Sequence, residues 1–214
     1  MTRIAILDYG MGNLHSIAKA VEHVAGKQRV LVTADSEQIR RAERVIFPGV
    51  GAMRDCMQEL RRLGLDTLIR ELAGHKPLLG VCLGMQALLE ASEENAGTPA
   101  LGLIAGQVRR FPADLRDAAS DARLKVPHMG WNQVRQSPHP LWAGIPQDSR
   151  FYFVHSYYAQ PTRPQARVGV TEYGIPFASA VADDGIFAVQ FHPEKSQHAG
   201  LRLLANFVDW DGQG

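Results

Sequence analysis

The run Leu78-Leu79-Gly80-Val81-Cys82-Leu83-Gly84-Met85-Gln86-Ala87-Leu88-Leu89 leaves the chain few folds to choose from. Residues 78 to 81, opened by Pro77, predict a short buried strand, and the good helix formers from Met85 to Leu89 predict a helix. Cys82 falls on the turn between them. Gly80 and Gly84 flank it in the spacing Gly-x-Cys-x-Gly, the cysteine counterpart of a nucleophile elbow. Such a strained strand-to-helix turn needs small neighbours and lifts its side chain above the end of a sheet. The amides that open the helix carry partial positive charge, which favours thiolate over thiol. Cys82 is therefore a candidate nucleophile; a buried structural cysteine between two packing glycines is the plainer alternative.

The first half of the chain supplies more strands of the same kind. Ile4 to Asp8 reads as a buried strand, followed by the turn Tyr9-Gly10-Met11-Gly12-Asn13 and an amphipathic helix from about Leu14 to Val24. That turn matches a phosphate-binding loop only weakly, because His15 stands where the third glycine of Gly-x-Gly-x-x-Gly belongs. Arg29 to Thr33 and Val45 to Phe47 are predicted strands, Ser36 to Ala42 a short helix, and Met53 to Ala73 a helix interrupted near Gly64. Alternation of strand and helix predicts a parallel sheet with right-handed crossovers. Ligands of such sheets sit beyond the carboxyl ends of the strands. Pro48-Gly49-Val50-Gly51 lies on that edge as well. Two glycines around one valine let peptide planes reorient. The Val50 turn is thus a candidate for aiming an amide at a developing oxyanion, with the amide of Leu83 as its companion. A plain turn after a strand is the alternative.

Beyond Ser92-Glu93-Glu94 the pattern becomes strands separated by turns: Gly106 to Phe111, Trp131 to Arg135, Phe151 to Tyr158, Arg167 to Tyr173, Ala178 to Ala182 and Ile186 to Gln190. The polar, alanine-rich stretch Asp114 to Arg123 predicts an exposed loop or short surface helix. The segment from Phe151 to Tyr158 is aromatic enough to be covered on both faces, with His155 read as a core histidine. Trp131 suits either the core or an interface. The last strand runs into Gln190-Phe191-His192-Pro193-Glu194-Lys195-Ser196. On extended backbone His192 and Glu194 point the same way, and Pro193 keeps the segment extended. A carboxylate beside an imidazole fixes its tautomer and stabilises its protonated form. The competing reading is a helix entry with Glu194 near the amide end. A closing helix is predicted from about Lys195 to Trp210.

At 214 residues the chain is long enough for one large domain, assigned to 1–214, with a substantial core. A formal net charge of +1, with no basic block, gives no footing for nucleic acid or an anionic membrane. No apolar run is long enough to span a bilayer. Cys56 and Cys82 alone make no disulfide framework, and the N-terminus enters a strand without a signal-type segment, so a cytoplasmic location is expected. His15, His23, His75 and His139 are scattered without ligand spacing; neither a metal site nor a cofactor is expected.

Nucleophile, amide turn, base and orienting carboxylate form the full inventory for acyl transfer through a thioester. In that chemistry His192 draws the proton from Cys82 and later passes it to the leaving amine. The same residues carry a resemblance. Gly-Val-Cys-Leu-Gly-Met-Gln at 80–86 with Gln-Phe-His-Pro-Glu-Lys-Ser at 190–196 resembles the class I, or triad, glutamine amidotransferases, whose glutaminase domain the chain would fill from end to end. Asp8-Tyr9-Gly10-Met11-Gly12-Asn13, Pro48-Gly49-Val50-Gly51, Pro127-His128-Met129-Gly130-Trp131-Asn132 and Tyr152-Phe153-Val154-His155-Ser156-Tyr157 are similar to one branch of it. That branch comprises glutaminase subunits which deliver ammonia to a separate cyclase subunit.

The resemblance implies an α/β fold: a three-layer, open, mostly parallel twisted sheet flanked by helices, with an antiparallel extension in the second half. It implies hydrolysis of L-glutamine to glutamate and ammonia. Cys82, His192 and Glu194 match the triad, Val50 and Leu83 the oxyanion hole, and Gly51, Gln86, Glu94, Ser156 and Tyr157 the positions that hold substrate or line its pocket. Asn13, Trp131, Tyr152 and Lys195 match positions facing the cyclase in a heterodimer, whose glutaminase stays nearly silent until the cyclase is occupied. The chain ends soon after the closing helix with no acceptor domain, so its ammonia is expected to be used elsewhere. Pro112 to Lys125 is long and polar for this branch, which leaves its conformation open. Three alternatives remain: a glutaminase serving another acceptor, a stand-alone cysteine hydrolase of gamma-glutamyl bonds, and a non-catalytic regulatory subunit.

Overall fold

The computed structural model describes residues 3–26, 29–117 and 119–214. Met1 and Thr2, where the N-terminal stretch was read as entering a strand, and Ala118, within the predicted 114–123 stretch, lie outside the described residues. The first half follows the predicted alternation: β1 (Ile4–Leu7), α1 (Leu14–Ala25), β2 (Val30–Thr33), α2 (Ser36–Arg41), β3 (Arg44–Gly49), α3 (Met53–Arg62), α4 (Leu65–Leu72), β4 (Leu78–Cys82) and α5 (Leu83–Ala87). Gly64, at φ 68°, separates α3 from α4, a backbone conformation that glycine adopts without steric cost.

Alternation along a strand sends successive side chains to opposite faces, and β1 does so with every residue buried. Ala5 and Leu7 join an apolar cluster with residues of α2, α3, α4 and α5. Ile4 and Ile6 join a second cluster, with Ile17 and Val21 of α1 and Leu203, Leu204 and Phe207 of the closing helix α6 (Gln197–Asp209). Three layers result, with helices on both faces of the sheet.

The second half contributes β5 (Ala91–Ser92), β6 (Thr98–Pro99), β7 (Gly106–Arg110), β8 (His128–Gln133), β9 (Arg135–Gln136), β10 (Arg150–His155), β11 (Tyr157–Pro161), β12 (Arg167–Glu172), β13 (Pro176–Asp183) and β14 (Ile186–Val189). The main sheet runs β2-β1-β3-β4-β14-β13-β11-β7-β5-β6. From β2 to β14 all neighbours are parallel; β13 with β14, and β11 with β13 and β7, are antiparallel. Strand β14 thereby lies beside β4 although the chain needs the whole second half to bring it there. In register, Gly49 pairs with Cys82 on one side and Val189 with Val81 on the other. No described helix is long and apolar enough to cross a membrane.

Three local expectations change and one is settled. The helix after the cysteine starts at Leu83, two residues early, so Cys82 is its N-cap. Ser156 divides the predicted 151–158 strand: β11 enters the main sheet while β10 pairs with β8 in a separate two-stranded sheet. Only one face of β10 is covered, with Phe151, Phe153 and His155 buried and Tyr152 and Val154 half-buried. Residues 114–117 and 119–123 take the loop form of the two expected, pinned by buried Leu115 and by Arg116, whose backbone pairs with Arg123 and whose side chain donates to the Asp121 carbonyl at 2.8 Å. Glu194 sits in a single 3-10 turn, Pro193–Lys195, that begins directly after His192.

Candidate active site

Cys82 adopts φ 56° and ψ −110°, a region that side-chain-bearing residues enter only under strain. The flanking glycines have separate reasons. A Cβ on Gly84 would fall 1.9 Å from the Phe47 carbonyl oxygen, so α5 could not pack on β3. A Cβ on Gly80 would lie 2.9 Å from both the Ala188 Cβ and the Leu88 Cδ1. Close approach thus forces the elbow, and the first-turn amides of α5, Leu83 foremost, have no carbonyl partners within the helix.

His192 reaches the same place from β14. Its backbone amide donates to the Tyr152 carbonyl at 2.9 Å, and the Ser196 hydroxyl donates to its carbonyl at 2.6 Å. The 3-10 turn folds Glu194 back so that His192 Nδ1 donates to its Oε1 at 2.8 Å. Both predicted readings of His-Pro-Glu therefore hold together: the segment is a helix entry, and the pair forms. Both side chains are almost wholly buried. Burial would push the imidazole down, but the nearby Cys82 sulfur, with the hydrogen bond and charge of Glu194, outweighs it and pushes it up to about 10. His192 Nε2 has no hydrogen-bond partner: the cysteine sulfur acts on it electrostatically without meeting hydrogen-bond geometry.

A cleft of about 370 Å³ opens above these groups, at the small end of ligand sites. Its walls bring together Cys82, Leu83 and His192 with Val50 and Gly51 from the turn after β3, and Gln86, Glu94, Ser156 and Tyr157. Glu194 stands behind His192 as its hydrogen-bond partner. Pro127, Val154 and His155 also line the cleft, which the sequence reading did not foresee. Glu94 Oε2 accepts from the Met53 amide at 2.7 Å, capping α3 where Ala52 has no side chain to do so. Two further residues escaped the sequence reading. Tyr9 donates to the Pro48 carbonyl at 2.8 Å beneath the Val50 turn, and a Cβ on Gly49 would lie 2.5 Å from its hydroxyl. Gln190 places its Nε2 3.8 Å from the Cys82 sulfur. Its place in the Gln-Phe-His-Pro-Glu run was visible, but no spacing rule gives that residue a task.

Of the expected partner-facing residues, three cluster. Trp131, 42% exposed, meets Tyr152 edge-on at 6.1 Å between ring centroids, and Lys195 Nζ lies 5.7 Å from the Tyr152 centroid. Met129, 62% exposed, extends the patch along β8. Asn13 serves α1 as N-cap, accepting from the Ser16 amide at 3.4 Å. Among the described residues, no group of three or more His, Cys, Asp and Glu side chains is placed to hold a metal ion.

A cysteine held in strain at the carboxyl edge of a parallel sheet, one strand from an ion-paired histidine, is the signature of cysteine-dependent acyl transfer. The chain belongs to the class-I glutamine amidotransferases, whose family model, "Glutamine amidotransferase class-I", matches residues 5–210. Its similarity is more particular than the class. The "Imidazole glycerol phosphate synthase subunit HisH" of Pseudomonas putida (strain KT2440) is 60% identical over 214 residues, the full length of both chains. The protein of that name from Methylococcus capsulatus (strain Bath) is 60% identical over 213 residues, 99% of this chain and 98% of the other. Among solved structures, a glutamine amidotransferase superposes with TM-score 0.71 at 16% identity, covering 97% of this chain and 99% of that one. PurLQS from Thermotoga maritima gives 0.70 at 14%, covering 97% and 98%. At such identities these two speak for the fold alone.

Proposed function

We propose that the chain is the glutaminase subunit of an imidazole glycerol phosphate synthase: a single domain over 1–214, cytoplasmic, working in histidine biosynthesis beside a separate cyclase subunit. The observation that carries this reading is the meeting of Cys82 with the His192–Glu194 pair in one cleft, on neighbouring parallel strands.

L-Glutamine enters with its carboxamide over Cys82. As the sulfur attacks the amide carbon, His192 already carries the thiol proton, and Glu194 stabilises the imidazolium. The amides of Leu83 and the Val50 turn hold the tetrahedral oxyanion. Collapse breaks the carbon–nitrogen bond; His192 returns its proton to the leaving nitrogen, and ammonia departs. Water, activated by the now neutral His192, hydrolyses the thioester to glutamate and frees the sulfur. Gly51, Gln86, Glu94, Ser156 and Tyr157 hold the amino-acid end. Ammonia then passes to the cyclase, where ring closure gives imidazole glycerol phosphate and an aminoimidazole carboxamide ribotide.

The surface supports a docked partner at the mouth of the cleft. Trp131 pairs in register with Tyr152, and Met129 with Val154, which itself lines the cleft. Val50, 39% exposed, adds to the apolar surface there. Exposed aromatic and methionine side chains gathered on the strand pair beside the cleft fit a partner surface. Glutamate release should be at least about tenfold faster when the chain is mixed with a cyclase subunit and its ribotide ligand than when it is alone. Cys82→Ala should abolish it in both. Equal activity alone would overturn the partner-gated reading, and activity surviving the substitution would overturn Cys82 as nucleophile.

A further inference from the structure

We propose that Gln190 is a positioning residue for Cys82: its side-chain amide, locked by Gln86, directs one N–H at the sulfur and holds the nucleophile in line with His192. The inference rests on the reading of Cys82 as nucleophile and adds a residue to it.

Strand register puts Gln190 there. Val189 pairs with Val81, so the next residue on each strand, Gln190 and Cys82, come side by side at the carboxyl edge. Gln190 is fully buried, and a buried amide is tolerated only when its donors and acceptor are used. Its Oε1 accepts from Gln86 Nε2 at 2.9 Å, and its Nε2 lies 3.8 Å from the Cys82 sulfur.

The orientation of that amide follows from its neighbours. Gln86 also approaches the Tyr157 carbonyl, at 3.0 Å. A carbonyl only accepts, so Gln86 must present its NH2 group there, and the second hydrogen of that group goes to Gln190. Gln190 must then offer oxygen to Gln86 and N–H to the sulfur. The flipped amide would set two NH2 groups against each other and an oxygen against the sulfur. The Tyr157 carbonyl is itself fixed from the other side by His155 Nδ1–H, at 2.8 Å. That assigns the tautomer: His155 Nε2 accepts from His128 Nδ1–H at 2.9 Å, and His128 Nε2 accepts from Asn132 Nδ2 at 3.3 Å. The other hydrogen of Asn132 goes to the Glu172 carbonyl at 2.9 Å. Every donor in the row has one acceptor and no freedom to rotate.

A neutral N–H suits this place. It stabilises the anionic sulfur without bringing a second cation to compete with the His192 imidazolium, and it fixes the cysteine rotamer. Gln190 is not among the groups that line the cleft, so its direct effect should fall on the sulfur and on turnover.

The test uses the full chain. Alkylation of Cys82 by iodoacetamide, located by peptide mass spectrometry, is followed against pH in wild type and in Gln190→Met, which keeps the length and loses the donor. The Met variant should react about tenfold more slowly at pH 7, with its profile moved to higher pH. In complex with the cyclase its kcat should fall about tenfold or more. A folded Gln190→Met chain with the wild-type alkylation profile overturns the proposal. A second measurement needs no variant at Gln190. The side-chain amide signal of Gln190 in the 15N-labelled chain should shift with the same midpoint as Cys82 alkylation, and stay flat in Cys82→Ala. An amide signal indifferent to that midpoint also overturns it. If Cys82→Ala retains glutaminase activity, the underlying reading fails instead, whatever Gln190 does.

Discussion

Two buried histidine pairs reach the same cleft and titrate in opposite directions. His192, with Glu194 at 2.8 Å, is held up at about 10 against the pull of its own burial. His155, with His128 at 2.9 Å, is pushed by burial down to about 3, and His128 to about 4. Depth is not what separates them, since all three imidazoles are nearly inaccessible. The difference is the neighbour. An anion beside a buried imidazole stabilises its charged form, whereas a second imidazole can only exchange a neutral hydrogen bond. One pair can therefore take and return a proton during a reaction; the other serves as a fixed, uncharged brace for the Tyr157 carbonyl.

The largest effect should come from removing the proton carrier. His192→Asn keeps a polar side chain and loses the base, and glutamate release in the presence of the cyclase should fall by about ten-thousandfold or more. Loss of less than about tenfold would mean that another group takes the proton.

Glu194→Gln comes next and tests the comparison directly, because it converts the first pair into a neutral one like the second. Turnover should drop by about a hundredfold to ten-thousandfold. His192 should then titrate lower than in wild type, with Cys82 alone left to oppose its burial. The stability sign follows: a histidine raised in the folded state contributes stability that is complete below about 6.5 and is lost as pH rises through about 10. The variant should melt below wild type at pH 7, and the gap should narrow toward pH 10. Equal melting temperatures at pH 7 would show that Glu194 does not hold the imidazolium.

How much of this could be seen in the residues differs between the two pairs. His192 and Glu194 lie two apart, so their pairing is legible, although a 3-10 turn, closer to the alternative of a helix entry than to extended chain, makes it. The Cys82 elbow was legible because the helix begins where the strand ends and the glycines mark close contacts. The parallel half was readable from its alternation of strand and helix. The second half was less so, since its pairings are long in sequence and follow no local period. Nothing near Cys82 shows that β14 will lie beside β4, and so Gln190, 108 residues away, had no visible task. His155 was read as a core residue, but its bond to His128 depends on β8 and β10 leaving the main sheet, which a change of pairing at Ser156 decides. Tyr9 was hidden for the same reason: its hydroxyl meets Pro48 only once β1 and β3 are neighbours.

The smallest effect belongs to the second pair and is read in acid. Because His128 and His155 stay neutral when folded, the unfolded chain binds their protons first as pH falls below about 6.5. The stability tied to this is complete above about 6.5 and is lost as pH drops through about 4 and then about 3. His128→Phe removes one such group while keeping a ring against Phe153 and Tyr173, which stack on His128 at 4.8 and 4.0 Å between centroids. It leaves His155 Nε2 without its donor, which should cost about 1–3 kcal/mol at pH 7. Between pH 6 and 4 the variant should lose stability less steeply than wild type, by up to about 1.4 kcal/mol per pH unit for one group. Denaturant unfolding across that range compares the two slopes, and parallel slopes would mean that His128 is already charged in the folded protein, leaving the two histidine pairs alike.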